Sequence, residues 1–126
     1  MANFFDNDIL MTQTSGNLLI DLACGYGQPS VTTVHLKKND GTTQVLCSFD
    51  NSVSAWVLGS IGNIKYNSIE IHTTINDIRD NKTEELDISL EVDVYESSSS
   101  RVSTKFTSKT KGSGSVFNVF YTVTVL

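Results

Sequence analysis

Two cysteines, two histidines and a surplus of acids are the residues of this chain whose chemistry could be put to use. A zinc site needs three or four convergent ligands. His35 and His72 stand apart among Thr, Val and Ile, and Cys24 and Cys47 fall in apolar phase, so the spacing supplies no such set. Cysteine catalysis would need an exposed thiolate beside a cation or an imidazole, and neither cysteine lies in a polar loop. A disulfide between Cys24 and Cys47 would suit an exported protein, whereas two sequestered thiols suit a chain without an export signal. Serine is abundant, but no Gly-x-Ser-x-Gly elbow is present. Gly25-Tyr26-Gly27 and Lys111-Gly-Ser-Gly-Ser115 are glycine-rich, yet no helix follows either, and a phosphate cradle needs one. These residue types and spacings point away from an enzyme.

Two constellations fit binding better. Asn76, Asp77, Asp80, Asn81 and Glu84 crowd one charged connection, and hard oxygen ligands on a loop are what Ca²⁺ takes. The spacing is not that of an EF-hand; Asp77, Asp80, Asn81 and Glu84 are the candidate ligands, set against an ordinary solvated loop. The second constellation is aromatic. Trp56, the one tryptophan, sits near a glycine turn, Tyr26 lies between two glycines, and Tyr66 lies near a change of strand phase. If exposed, these rings with Asn and Asp beside them would make a glycan-stacking, lectin-like surface. The competing expectation is that Trp56 is the core tryptophan of a β-sandwich.

Charge narrows the partners. The net charge is −5, with nine basic and fourteen acidic residues. Binding to nucleic acid draws on clustered Lys and Arg, and anionic membranes favour basic surfaces, so neither partner is expected. No apolar run reaches the roughly 18 residues of a spanning helix. The first residues, Met1-Ala-Asn-Phe-Phe-Asp-Asn-Asp8, are acidic where a secretory signal is basic, which suggests a cytoplasmic or non-classically exported protein.

The elements that must carry these residues are strands. Leu86 to Tyr95 alternates without error, with Leu86, Ile88, Leu90, Val92 and Val94 on one side and Asp87, Ser89, Glu91, Asp93 and Tyr95 on the other. Period two means one buried face and one wet, acidic face. Pairing this strand with residues 101–109 so that Val94 meets Val102 also sets Glu91 against Lys105, Asp87 against Lys109 and Tyr95 against Arg101. Opposite charges then fall together, which selects a register more than it stabilises one.

Upstream, residues 31–38 and 42–49 flank Asp40-Gly41, a type I′ hairpin pattern. It predicts Val34 opposite Cys47, Leu36 opposite Val45 and His35 opposite Leu46. Leu18, Ile20, Leu22 and Cys24 mark another strand; Phe117, Val119, Tyr121, Val123 and Val125 mark the last. Residues 1–16 read as an arm or a short edge strand. The phase of residues 53–58 is ambiguous, and a bulge or sharp bend is expected near Asn67-Ser68.

Seven to nine strands at this spacing, with no convincing helix, predict one domain over 1–126. Its fold class is all-β, an antiparallel sandwich of jelly-roll or immunoglobulin-like Greek-key type. Phe120, Leu126, Leu46 and Leu19 fall in the wrong phase for burial, which predicts either a second covering layer or a subunit interface, in a homo-oligomer or a component of a larger assembly. The expected function is therefore a non-enzymatic, self-associating binding or assembly module, with glycan recognition, calcium-assisted, as the alternative.

Overall fold

The computed structural model describes residues 2–11, 15–25, 29–76, 87–96, 101–109 and 116–126. Nine strands and one short helix follow in order: β1 (Ala2–Ile9), β2 (Asn17–Cys24), β3 (Ser30–Lys37), β4 (Thr43–Asp50), β5 (Val53–Ser60), α1 (Ile61–Ile64), β6 (Ser68–Asn76), β7 (Asp87–Glu96), β8 (Arg101–Lys109) and β9 (Val116–Val125). They form a five-stranded sheet, ordered β1-β9-β6-β3-β4, and a four-stranded sheet, ordered β5-β2-β7-β8. This is the expected all-β sandwich. β6 and β9 are paired although β7 and β8, a hairpin beside β2 in the other sheet, come between them in the chain. Every pairing is antiparallel except β1 with β9, which is parallel.

Alternation does what the pattern demands. Ile88, Leu90, Val92 and Val94 of β7 meet Leu18, Ile20 and Leu22 of β2 in a single buried cluster with Ile69, Ile71 and Ile75 of β6 and the odd-numbered residues of β9. The β7–β8 register is the predicted one at every position named above. Leu86 and the connection 77–85 lie outside the described residues.

The β3–β4 hairpin agrees at one end and departs at the other. Val34 faces Cys47 as expected, but His35 faces Val45 and Leu36 faces Gln44, so Leu46 is an extra residue. The bulge turns Leu46 inward beside Cys47, and both pack against the core. Its cause is the turn. Gly41 alone takes positive φ, at 88°, and its N–H donates to the Lys38 carbonyl at 2.9 Å. That is a three-residue loop whose last residue is left-handed, not the two-residue type I′ turn. Asp40 caps it, accepting from the Thr42 hydroxyl at 2.6 Å and the Thr42 N–H at 2.9 Å. The side-chain bond first, then the backbone one, holds the Asp40 carboxyl below the usual range.

The phase change near Asn67 is a sharp bend rather than a bulge. The unforeseen turn of helix α1 buries Ile61 and Ile64, and Tyr66 then reverses the chain at φ 71°. Four residues are too few for helical periodicity to register in the sequence. Between the sheets the chain crosses at Asn51, φ 58°, a residue type that tolerates the left-handed region.

Candidate functional site

The two flanks of the sandwich differ in chemistry. One is closed by β1 and β8, the other by β4 and β5. Edge strands bearing charge resist pairing with other chains. β1 carries Asp6 and Asp8, and β8 carries Arg101, Lys105 and Lys109. By contrast, Thr43–Phe49 of β4 and the whole of β5 hold no charged residue. Val45, Trp56 and Val57 are 60, 40 and 50% exposed on that flank.

Trp56 is not the core tryptophan that its apolar neighbours suggested. It stands opposite inward-facing Ile20, but on an edge strand, so its ring closes the flank instead of filling the centre. The ring leans on Phe49 of the other sheet, with centroids 5.5 Å apart. β5 loses its alternation because Ala55 is left-handed, at φ 51°, with its N–H donated to Asp21 Oδ1 at 2.6 Å. Residues on either side of such a kink keep no common phase, which is why that stretch reads ambiguously. Below the flank, Leu36, Lys38, Gln44, Leu46, Gly59, Ser60, Asn63 and Ile64 line a cavity of about 230 Å³.

The outer face of the five-stranded sheet carries an aromatic column. Phe4, Phe120 and His72 are cross-strand neighbours in β1, β9 and β6. Phe4 stacks on Phe120 at 5.0 Å and Phe120 on His72 at 4.3 Å, each pair 12° from parallel. Asn118 Oδ1 lies 3.0 Å from His72 Nε2 and accepts from the Thr74 hydroxyl, also at 3.0 Å. His72 and His35 both lie half-buried on this outer face, and with Phe4, Glu70 and Thr122 they border a depression of about 350 Å³. Phe120, an expected interface residue, is half-buried because its neighbours sandwich it; the ring left open is Phe4, at 73% exposure.

The outer face of the four-stranded sheet is acidic, as the β7 pattern implies. Asp21 stands directly opposite Asp93, an arrangement that like charges oppose. Arg101 offsets it, bonding Asp93 Oδ2 at 2.6 Å while lying 4.2 Å over the Tyr95 ring. The Tyr95 hydroxyl donates to Asp21 Oδ1 at 2.9 Å. That bond, and burial next, push the Tyr95 ionisation above its ordinary 10.0. The fold holds the neutral phenol, so this stabilisation is present below pH 10.0 and is lost as pH rises through the folded value. An ultraviolet difference titration of the native protein against Tyr95→Phe is expected to show a phenol ionising above 10.0, brought down again by Asp21→Asn. Ionisation of Tyr95 at or below the ordinary value would contradict the bond.

The remaining expected site residues scatter. Leu19 is half-buried between Val57 and Tyr95 on the acidic face. Leu46 is half-buried, since the bulge turns it inward beside Cys47 on the edge strand β4. Leu126, 44% exposed, sits beside Leu10 and near Tyr66, at 68 and 65%, where Leu126 N–H bonds the Ile9 carbonyl and Tyr66 N–H bonds that of Val125. Trp56 and Tyr66 therefore belong to different patches. Tyr26 and the calcium candidates Asp77, Asp80, Asn81 and Glu84 lie outside the described residues. Among the described residues no group of three or more His, Cys, Asp or Glu is placed to hold a metal ion. Cys24 and Cys47 are half-buried in different sheets and not joined in a disulfide, and burial, ahead of any hydrogen bond, pushes both thiols up. Phe4, Val45 and Val57 were missed as exposed apolar residues; Phe4 and its stacking partner Phe120 share a face only through the β1–β9 register, which no local pattern announces.

No protein-family model, curated protein or solved structure matches this chain. Among the described residues no helix is long and apolar enough to cross a membrane.

Proposed function

We propose that this chain is a non-enzymatic binding or assembly module that associates with protein, including its own copies, through the β4/β5 flank. The observation that supports this is the contrast between flanks: acids and cations guard β1 and β8, whereas Val45, Trp56 and Val57 are exposed on strand segments without charge, Thr43–Phe49 of β4 and the whole of β5. A large exposed aromatic side chain with exposed apolar neighbours is what interface hot spots are made of. Light scattering coupled to size exclusion, at tens of micromolar, is expected to give a mass above the 13.8 kDa of one chain. Trp56→Ala is expected to weaken association about 10- to 100-fold, as hot-spot truncations do, and Val57→Asp, at a half-exposed position, to do likewise. A native protein that runs as a monomer, unchanged by either variant, overturns the self-association reading.

Glycan recognition is the second reading, supported by the open ring of Phe4 with Asn118, Thr74 and His72 nearby, and by the exposure of Trp56 and Tyr66. A glycan array run with and without a calcium chelator separates it from the first. Binding abolished by Phe4→Ala but untouched by Val57→Asp would favour it.

A further inference from the structure

We infer that a second copy of this chain adds to the free edge of β4, antiparallel, about a two-fold axis lying between Leu46 and Cys47. The inference rests on the self-association proposed above and names the strand and register that carry it.

Among the edge strands of the described residues, β4 is the most open to strand addition. β1 presents Asp6 and Asp8, β8 presents three cations, and β5 breaks its own ladder with two register shifts and left-handed Ala55. Each of these is a recognised way of blocking an edge. β4 carries a single bulge, at Leu46, but it has a neutral run from Thr43 to Phe49, no left-handed residue and an exposed Val45.

The bulge then selects the axis. In a strand that alternates without interruption, a two-fold axis between two residues sets outward positions against inward ones. The extra residue at Leu46 removes that conflict. Val45, Ser48 and Asp50 share the outer phase of their β3 partners His35, Thr33 and Val31, and Thr43 shares that of Lys37. Gln44, Leu46, Cys47 and Phe49 are turned the other way. Read from either end, the order of outward and inward residues is the same. Two copies about this axis therefore set Thr43 opposite Asp50, Gln44 opposite Phe49, Val45 opposite Ser48 and Leu46 opposite Cys47, with every pair on a common face.

Charge favours the same arrangement. Each chain has a net charge of −5, so copies repel except where the surface is neutral or complementary. β4 begins beside Lys37 and Lys38 and ends at Asp50. Antiparallel pairing carries each Asp50 to the lysine end of the other copy, twice over by symmetry. It also brings Phe49, with Trp56 leaning on it, up to Gln44 of the other copy, and Gln44 lines the flank cavity.

Cross-linking tests the register. In a Cys24→Ser/Cys47→Ala background, Val45→Cys with Ser48→Cys is expected to give a disulfide-linked dimer on mild oxidation. Opposed residues of an antiparallel pair lie about 4.5–5.5 Å apart at Cα, within disulfide reach. Val45→Cys with Asp50→Cys, which are not opposed, is expected to stay unlinked. Asp50→Lys is expected to weaken association of the otherwise native chain about three- to tenfold, the scale of two exposed ion pairs, while Asp8→Lys on β1 leaves it unchanged. If light scattering shows an oligomer but the opposed pair does not link, or both pairs link equally, the β4 register is wrong and the self-association reading stands. If the native chain is a monomer throughout, both fall.

Discussion

Tyr121→Ala is expected to lower the unfolding free energy by about 3–5 kcal/mol, the cost of deleting a large aromatic ring from a packed core. For a domain with roughly 5–15 kcal/mol in total, that is a large share of its stability. Tyr121 is 2% exposed and lies between Phe5 of β1 and Ile71 of β6 in the inner-face register. Its hydroxyl accepts from Asn7 Nδ2 at 3.3 Å. Tyr121→Phe keeps the volume and removes only that bond, so about 0.5–1.5 kcal/mol is expected. Urea denaturation of both variants separates the two contributions: a midpoint falling by about 2 M for Ala, at a slope of roughly 2 kcal/mol per molar, and by less than half of that for Phe. Equal effects would mean that the hydroxyl, not the ring, is what the site depends on.

The second large effect is a coupling. Thr32 and Thr73 face each other across β3 and β6, both fully buried, with their hydroxyls 2.8 Å apart. Removing one hydroxyl strands the other in the core. Thr73→Val alone is therefore expected to cost about 1–3 kcal/mol, and Thr32→Val alone a similar amount. The double variant replaces both polar groups with methyls of the same shape and is expected within about 1 kcal/mol of the native protein. A double-mutant cycle on chemical denaturation reads this directly. Additive costs would show that each hydroxyl is satisfied independently of the other.

Where the rules acting on a stretch agree, its structure could be read in advance. β7 and β8 are the case in point: hydrophobic phase, charge complementarity and the ladder all agree, so Leu90 with Phe106 and Asp87 with Lys109 fall where alternation puts them. β9 is similar, down to outward-facing Phe120. Misreadings arose where two rules competed. Asp40-Gly41 fits a two-residue turn, but the side chain of Asp40 binds Thr42 and the loop closes over three residues, which shifts half a strand by one position. Leu46 then reads as an exposed apolar residue when it is a bulge residue turned inward. Trp56 reads as core because its neighbours are apolar, yet burial on an edge strand depends on what the other sheet brings alongside, and Phe49 and Cys47 of β4 leave it 40% exposed. The aromatic column is illegible for a different reason. Phe4, His72 and Phe120 meet through two cross-strand registers that span nearly the whole chain.

One pairing has a mechanical meaning. β1 runs parallel to β9, from Ala2 beside Asn118 to Ile9 beside Val125. Tension applied between residues 2 and 126 would draw the two strands past each other lengthwise. The rungs between them would then share the load together, instead of parting one after another as in a hairpin opened from its ends. A module joined into a longer string through these two strands would resist stretching as a shear clamp, with its points of attachment at opposite poles.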